Sequence, residues 1–124
     1  MSRIAETFTV TLDGAMLRRG FWLYVWEIIP PDGAQLLYVG RTGDSSSPNA
    51  QSLFNRMGQN LGTLATSSMV RNNLEKRGVD PTACKFRMVG RGPIFDESAA
   101  NTMEAHKPLR DQIAALEKRL AEDL

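Results

Sequence analysis

Phe21-Trp22-Leu23-Tyr24-Val25-Trp26-Glu27-Ile28-Ile29 and Leu36-Leu37-Tyr38-Val39-Gly40, separated by Pro30-Pro31-Asp32-Gly33, decide how this chain folds. The first segment is dense in aromatic and β-branched residues and reads as a strand, and the second reads as another. The proline- and glycine-bearing turn between them makes a hairpin. Tyr24 and Tyr38 sit at matching distances from that turn, which can put both phenols on one sheet face. Two phenols side by side can give or take a proton and can hydrogen-bond an oxyanion. Taken alone, they read first as two half-buried strand aromatics. Trp22 and Trp26 share the parity of Tyr24 and are expected to pack in the core or to wall a site.

Working outward, the N-terminal stretch Thr7–Leu12 alternates polar and apolar residues and is expected to form a short edge strand. After the hairpin, Arg41 and the polar run Thr42-Gly43-Asp44-Ser45-Ser46-Ser47 lead to a helix, with Ser47 as N-cap and Pro48 at its first position. Leu53, Phe54, Met57 and Leu61 recur at helical spacing along it, and Gly62 ends it. A second helix is expected over Ser67–Arg77, with Met69, Val70 and Leu74 inward and Gly78 past its end. Lys85 to Gly90 alternates and makes a third strand, with Cys84, Phe86 and Met88 inward; Arg91-Gly92-Pro93 is expected to break it. A helix follows over Glu97–Lys107, and Pro108 predicts a bend or break. Beyond it, Leu109, Ile113, Leu116 and Leu120 form the stripe of an amphipathic C-terminal helix. It is too short for a coiled coil; it is expected to pack on the domain, with a homodimer or partner domain as the alternative use.

These elements add up to an α/β (α+β) class: a small, mainly antiparallel three-stranded sheet flanked by helices. The 124 residues are expected to form a single domain, its core over about residues 21–107 and a C-terminal helix over 108–124. No segment has the length of a membrane span, and a single cysteine, Cys84, suggests a reducing, cytoplasmic setting. The net charge of +1 does not by itself indicate a nucleic-acid partner. Its distribution is more informative: Arg41 to Phe95 holds eight Lys or Arg against three Asp or Glu, and Asp96 onward holds four against seven. That polarity hints at a phosphate-facing side, although solvated charge on ordinary elements explains it as well. One cysteine and one histidine cannot build a zinc site.

The order of these features resembles the GIY-YIG nuclease domain superfamily over about Phe21 to Lys107. Leu23-Tyr24 resembles the end of the first signature triplet, with Trp22 where the leading glycine stands, and Tyr38-Val39-Gly40 resembles the second. Arg41 falls where the family often carries a basic residue, Arg56 matches the arginine of the first helix, and Glu104 matches the metal-binding glutamate of a later helix. The sequence departs from the family in having Asn60 one turn after Arg56, and in having no asparagine after Glu104.

What the resemblance implies is an endonuclease that hydrolyses DNA phosphodiester bonds. Glu104 would hold one Mg²⁺ or Mn²⁺, hard cations that favour oxygen ligands. Arg56 would contact phosphoryl oxygens through its planar fork. Tyr24 would be the general base and Tyr38 would orient water or phosphate, with the reversed assignment open. Gly40 and Arg41 would bind substrate, and Arg41, Arg56 and some of Arg71, Lys76, Arg77, Lys85 and Arg87 are expected to border the site as a phosphate track. Alternative functions are a non-catalytic nucleic-acid-binding module of the same fold and a protein-interaction domain. Away from the resemblance, Arg56 and Glu104 read as solvated helix residues, Gly40 as a strand-ending turn residue, and His106 as a helix-surface residue.

Overall fold

The computed structural model describes residues 5–43, 51–64, 68–96 and 103–124. A strand β1 (Gly20–Ile29) lies between β2 (Leu36–Arg41) and β3 (Lys85–Asp96), antiparallel to both. Among the described residues, three α-helices follow in chain order: α1 (Leu53–Leu61), α2 (Met69–Lys76) and α3 (Met103–Asp123). The three-stranded antiparallel sheet with flanking helices is the α+β class that the sequence pattern predicts. Among the described residues no helix is long and apolar enough to cross a membrane.

Alternation along β1 builds two cores on one strand. Trp22, Tyr24, Trp26 and Ile28 pack with Leu53 of α1 and with Val70 and Leu74 of α2. Phe21 and Leu23 turn the other way and pack with Ile113, flanked by Leu109 and Leu120 of α3. Helices α1 and α2 therefore cover one sheet face and α3 covers part of the other. Over residues 20–24 β1 is buried on both faces, which is why that stretch is wholly apolar; farther along, Val25 and Glu27 are half-buried and Ile29 is exposed on the face beyond α3. The open end of the hairpin is closed by Thr42. Its buried hydroxyl accepts from Trp22 N at 2.9 Å and donates to Gly20 O at 2.5 Å, while its own N–H reaches Trp22 O at 3.0 Å.

Several local expectations are corrected. Thr7–Leu12 forms no strand; Phe8 and Val10 stay exposed, because alternation without a hydrogen-bonded neighbour does not hold a strand. The Ser47–Pro48 start falls outside the described residues, and α1 begins at Leu53 with Ser52 as its cap, the hydroxyl accepting from Asn55 N at 3.2 Å. The start expected at Glu97 for the last helix likewise falls outside the described residues. Phe54 and Met69 face outward, about half exposed, beside the inward Leu53 and Val70. Helix α2 ends as expected at Gly78, which has a positive φ, with Val79 N bonding back to Leu74 O at 2.9 Å.

Strand β3 runs past Gly92-Pro93 to Asp96. Its register on β1 jumps from Leu23↔Arg91 to Phe21↔Phe95, so Gly92-Pro93-Ile94 bulges opposite Trp22. An edge strand tolerates this, because a proline there removes no ladder bond on its free side. The break expected at Pro108 is also absent, and α3 is continuous across it. His106 before Pro108, and Leu109 and Ile113 after it, are all seated against the sheet. Pro108 and Glu104 are exposed, so the carbonyl that loses its N–H partner lies on the solvent side.

Candidate functional site on the tyrosine face of the sheet

In the β1–β2 register, Tyr24 opposes Gly40 and Trp26 opposes Tyr38. Directly opposed residues of an antiparallel pair share a face, and Tyr24 and Trp26 are two apart, so both tyrosines point to the face covered by α1 and α2. Across the sheet Tyr24 is flanked by two glycines, Gly40 on β2 and Gly90 on β3. A Cβ at Gly40 would collide with Cζ and Oη of Tyr24, and one at Gly90 would collide with Cδ1 of Leu53. The two glycines therefore let the Tyr24 ring lie across β2 and let α1 come down on β3.

Helix α1 crosses this row from β3, where Leu53 sits, to β2, where its last turn meets the phenol. Asn60 Nδ2 donates to Tyr24 Oη at 3.0 Å, and both side chains are buried. Asn60 was not among the residues expected to act, yet its position was readable: it follows Leu53 and Met57 on the inward stripe of α1. Gly90 carried the signal of an isolated glycine inside a strand, which marks close approach of another element. Tyr38 is half-buried and lines a cleft of about 240 Å³ between β2 and α2, together with Asn73 and Arg77. Its ring packs on the same core as Tyr24. Arg56 is half-buried, one turn into α1 on the same helix face as Asn60.

Two residues of the expected set come from elsewhere. Arg41 opposes Leu23 and so lies on the α3 face, where its guanidinium donates to Glu117 at 2.7 Å. Glu104 is exposed in the first turn of α3. Two residues on, His106 is fully buried against Phe21, ring centroids 5.2 Å apart, which replaces the expected surface position with a core one. Phe21 in turn lies under Gly43, where any Cβ would strike its ring. At the same end of the sheet Ser52, the cap of α1, bridges Arg19. Helices α1 and α3 thus both start at the Gly20–Phe21 end, from opposite faces. The structure brings Tyr24, Tyr38 and α1 with Arg56 together on one face; Glu104 is not gathered with them but stands exposed in the first turn of α3, the helix of the opposite face.

The donor set sets limits on a metal. Among the described residues, no group of three or more His, Cys, Asp and Glu is placed to hold an ion. A single exposed carboxylate suits a cation that takes one or two protein oxygens and completes its shell with water and substrate phosphate, as Mg²⁺ does at phosphoryl-transfer sites. Glu104 does not make a protein-only cage, and a cation held there would need water and substrate phosphate to complete its shell. No family model, no curated protein and no solved structure matches this chain.

Proposed function

We propose that this chain is a metal-dependent endonuclease of the GIY-YIG type that hydrolyses DNA phosphodiester bonds. The observation that carries the reading is the β1–β2 register, which turns Tyr24 and Tyr38 to the face crossed by α1, the helix that bears Arg56. Opposite faces for the two tyrosines would have removed its basis. In this reading the phenolate of Tyr24 takes a proton from the attacking water. The water oxygen bonds to phosphorus as the bond to the leaving sugar oxygen breaks, and solvent protonates that oxygen. Arg56 meets the charge spread over the phosphoryl oxygens. Tyr38 orients the water or the phosphate, and Gly40, expected to receive substrate, instead seats the Tyr24 ring. Glu104 would hold Mg²⁺ or Mn²⁺, which when bound polarises the phosphate and offsets its charge.

The test is a nicking assay on supercoiled, branched and flap DNA with Mg²⁺, with Mn²⁺ and with chelator. Glu104→Gln keeps the shape of the side chain and removes the charge that holds the cation. It is expected to abolish cleavage while DNA binding stays equal or tightens. Arg56→Ala should lower cleavage by about two to three orders of magnitude, by analogy with loss of an oxyanion donor. Equal nicking by wild type and Glu104→Gln would assign the activity to another site or to a contaminant.

A second reading, a DNA-binding module without catalysis, is favoured by the burial of Tyr24, which is only 3% exposed. It predicts DNA binding with no nicking of any substrate in either metal. A partner surface on the C-terminal stripe has less support, since Ile113 is fully buried and Leu109 and Leu120 pack on the sheet.

A further inference from the structure

Leu53 and Asn60 are the two fully buried side chains of α1. An amide placed among apolar side chains loses its hydration and is tolerated only where it finds partners. Asn60 finds one in the phenol of Tyr24: of the two groups, the amide nitrogen donates and the phenol oxygen accepts, at 3.0 Å. The seat is tightly defined. The Tyr24 ring is fixed by Gly40 beneath it, where even a methyl group would collide, and α1 is fixed by Leu53 over Gly90. The Tyr24–Asn60 bond is thus made between a strand and a helix that are both in close contact at these two glycines.

The direction of this bond has a chemical consequence. With one lone pair of Oη taken by an N–H, the proton of the phenol must point elsewhere, away from Asn60. When that proton leaves, the oxyanion is already met by a donor that needs no reorganisation. We propose that Asn60 is the positioning residue of Tyr24, holding its hydroxyl in one orientation and stabilising its deprotonated form. The proposal deepens the nuclease reading, since a tyrosine acting as base must be available as the oxyanion near neutral pH. It also stands on its own as a statement about one phenol.

Tyr24 and Tyr38 are the only tyrosines of the chain, which makes the test direct. In a Tyr38→Phe background, Tyr24 is the sole phenol, and its ionisation can be followed by absorbance near the phenolate band or by ¹³Cζ labelling. Adding Asn60→Ala should move the titration midpoint up by about one to two pH units, the worth of one hydrogen bond to a charged oxygen. Asn60→Asp, of nearly the same size, replaces the donor by an acceptor and should move it further in the same direction. Circular dichroism and chemical-shift dispersion report whether each variant folds. Should Asn60→Ala fail to fold, Asn60→Asp and Asn60→Ser carry the comparison. In the Tyr38-containing protein, the rising limb of the cleavage pH profile should shift upward in Asn60→Ala, with the rate recovered at high pH. A purely structural Asn60 would lower the rate at every pH and leave the limb in place.

Coincident Tyr24 titrations in the folded parent protein and in its folded Asn60→Ala and Asn60→Asp variants would overturn the proposal. A shifted titration in a protein that nicks no DNA would uphold the role of Asn60 and remove the nuclease reading, so the two failures are separable.

Discussion

At the scale of single residues, the row Gly40–Tyr24–Gly90 concentrates the information of the site. Gly40 has no strained φ; what excludes a side chain there is the Tyr24 ring. Gly40→Ala is therefore expected to destabilise by about 1–3 kcal/mol through overpacking, with loss of the Tyr24–Asn60 bond seen in the Asn60 side-chain amide resonances. Gly58 is the control, since a Cβ there meets nothing within 4 Å. Gly58→Ala inside α1 should stabilise by about 0.5–1 kcal/mol from helix propensity alone. If both substitutions shift the denaturant midpoint alike, the close approach of Tyr24 to Gly40 is wrong. Cys84 gives a test by reactivity. Its burial pushes the thiol pKa up, and the carboxylates of Asp80 and Asp32 push in the same direction. The neutral thiol is favoured, so alkylation near neutral pH should be slower in the folded protein than in denaturant, with the difference narrowing as pH rises past the folded value. Equal rates in both states would show that Cys84 is not seated against the core.

Among the elements, legibility followed how much of each signal was local. The hairpin was readable because Phe21–Ile29 and Leu36–Val39 are apolar runs on either side of a proline–glycine turn, and parity alone related Tyr24 to Tyr38. The side of the sheet that each helix covers was not readable, since nothing near Glu104 or Arg41 says that α3 docks under Phe21 and Leu23. For the same reason Arg41 could be placed next to the second tyrosine motif in sequence and still face Glu117 on the other side. Proline rules failed twice where tertiary contacts outweighed local preference: at Pro93, on an edge strand with a free side, and at Pro108, within a helix seated at His106, Leu109 and Ile113. The second case can be tested. An interior proline costs a helix about 3 kcal/mol relative to alanine, and Pro108 is exposed. Pro108→Ala should thus stabilise by about 1–3 kcal/mol, seen as a Tm rise of several degrees. No change would mean that α3 is interrupted there after all. Ile113→Ala should act oppositely, costing about 2–5 kcal/mol, because the residue is fully buried between the sheet and α3.

The whole molecule raises the question of which surface would meet DNA. The basic excess of the middle of the chain is not gathered into one track. Arg41 pairs with Glu117, Arg71 with Glu75 and Arg87 with Glu27. Lys85, Arg87 and Arg91 oppose Ile29, Glu27 and Leu23, so they belong to the α3 face of β3. Lys76 and Arg77 stand instead at the end of α2, where Arg77 lines the cleft with Tyr38. If the tyrosine face is the binding surface, Arg56, Lys76 and Arg77 are the cations in position to meet phosphates. Releasing about three counterions corresponds to a slope of about −3 in log K against log salt. Such a slope is shallow for a DNA-binding protein, and it makes the two faces distinguishable by mutation. Lys76→Ala with Arg77→Ala should flatten the slope by about two and weaken binding to all DNA sequences alike. Lys85→Ala with Arg91→Ala should leave both the slope and the affinity in place. The reverse pattern would put DNA on the α3 face of β3, to which neither Tyr24 nor Tyr38 points, and salt-independent binding would argue against a phosphate-backbone ligand altogether.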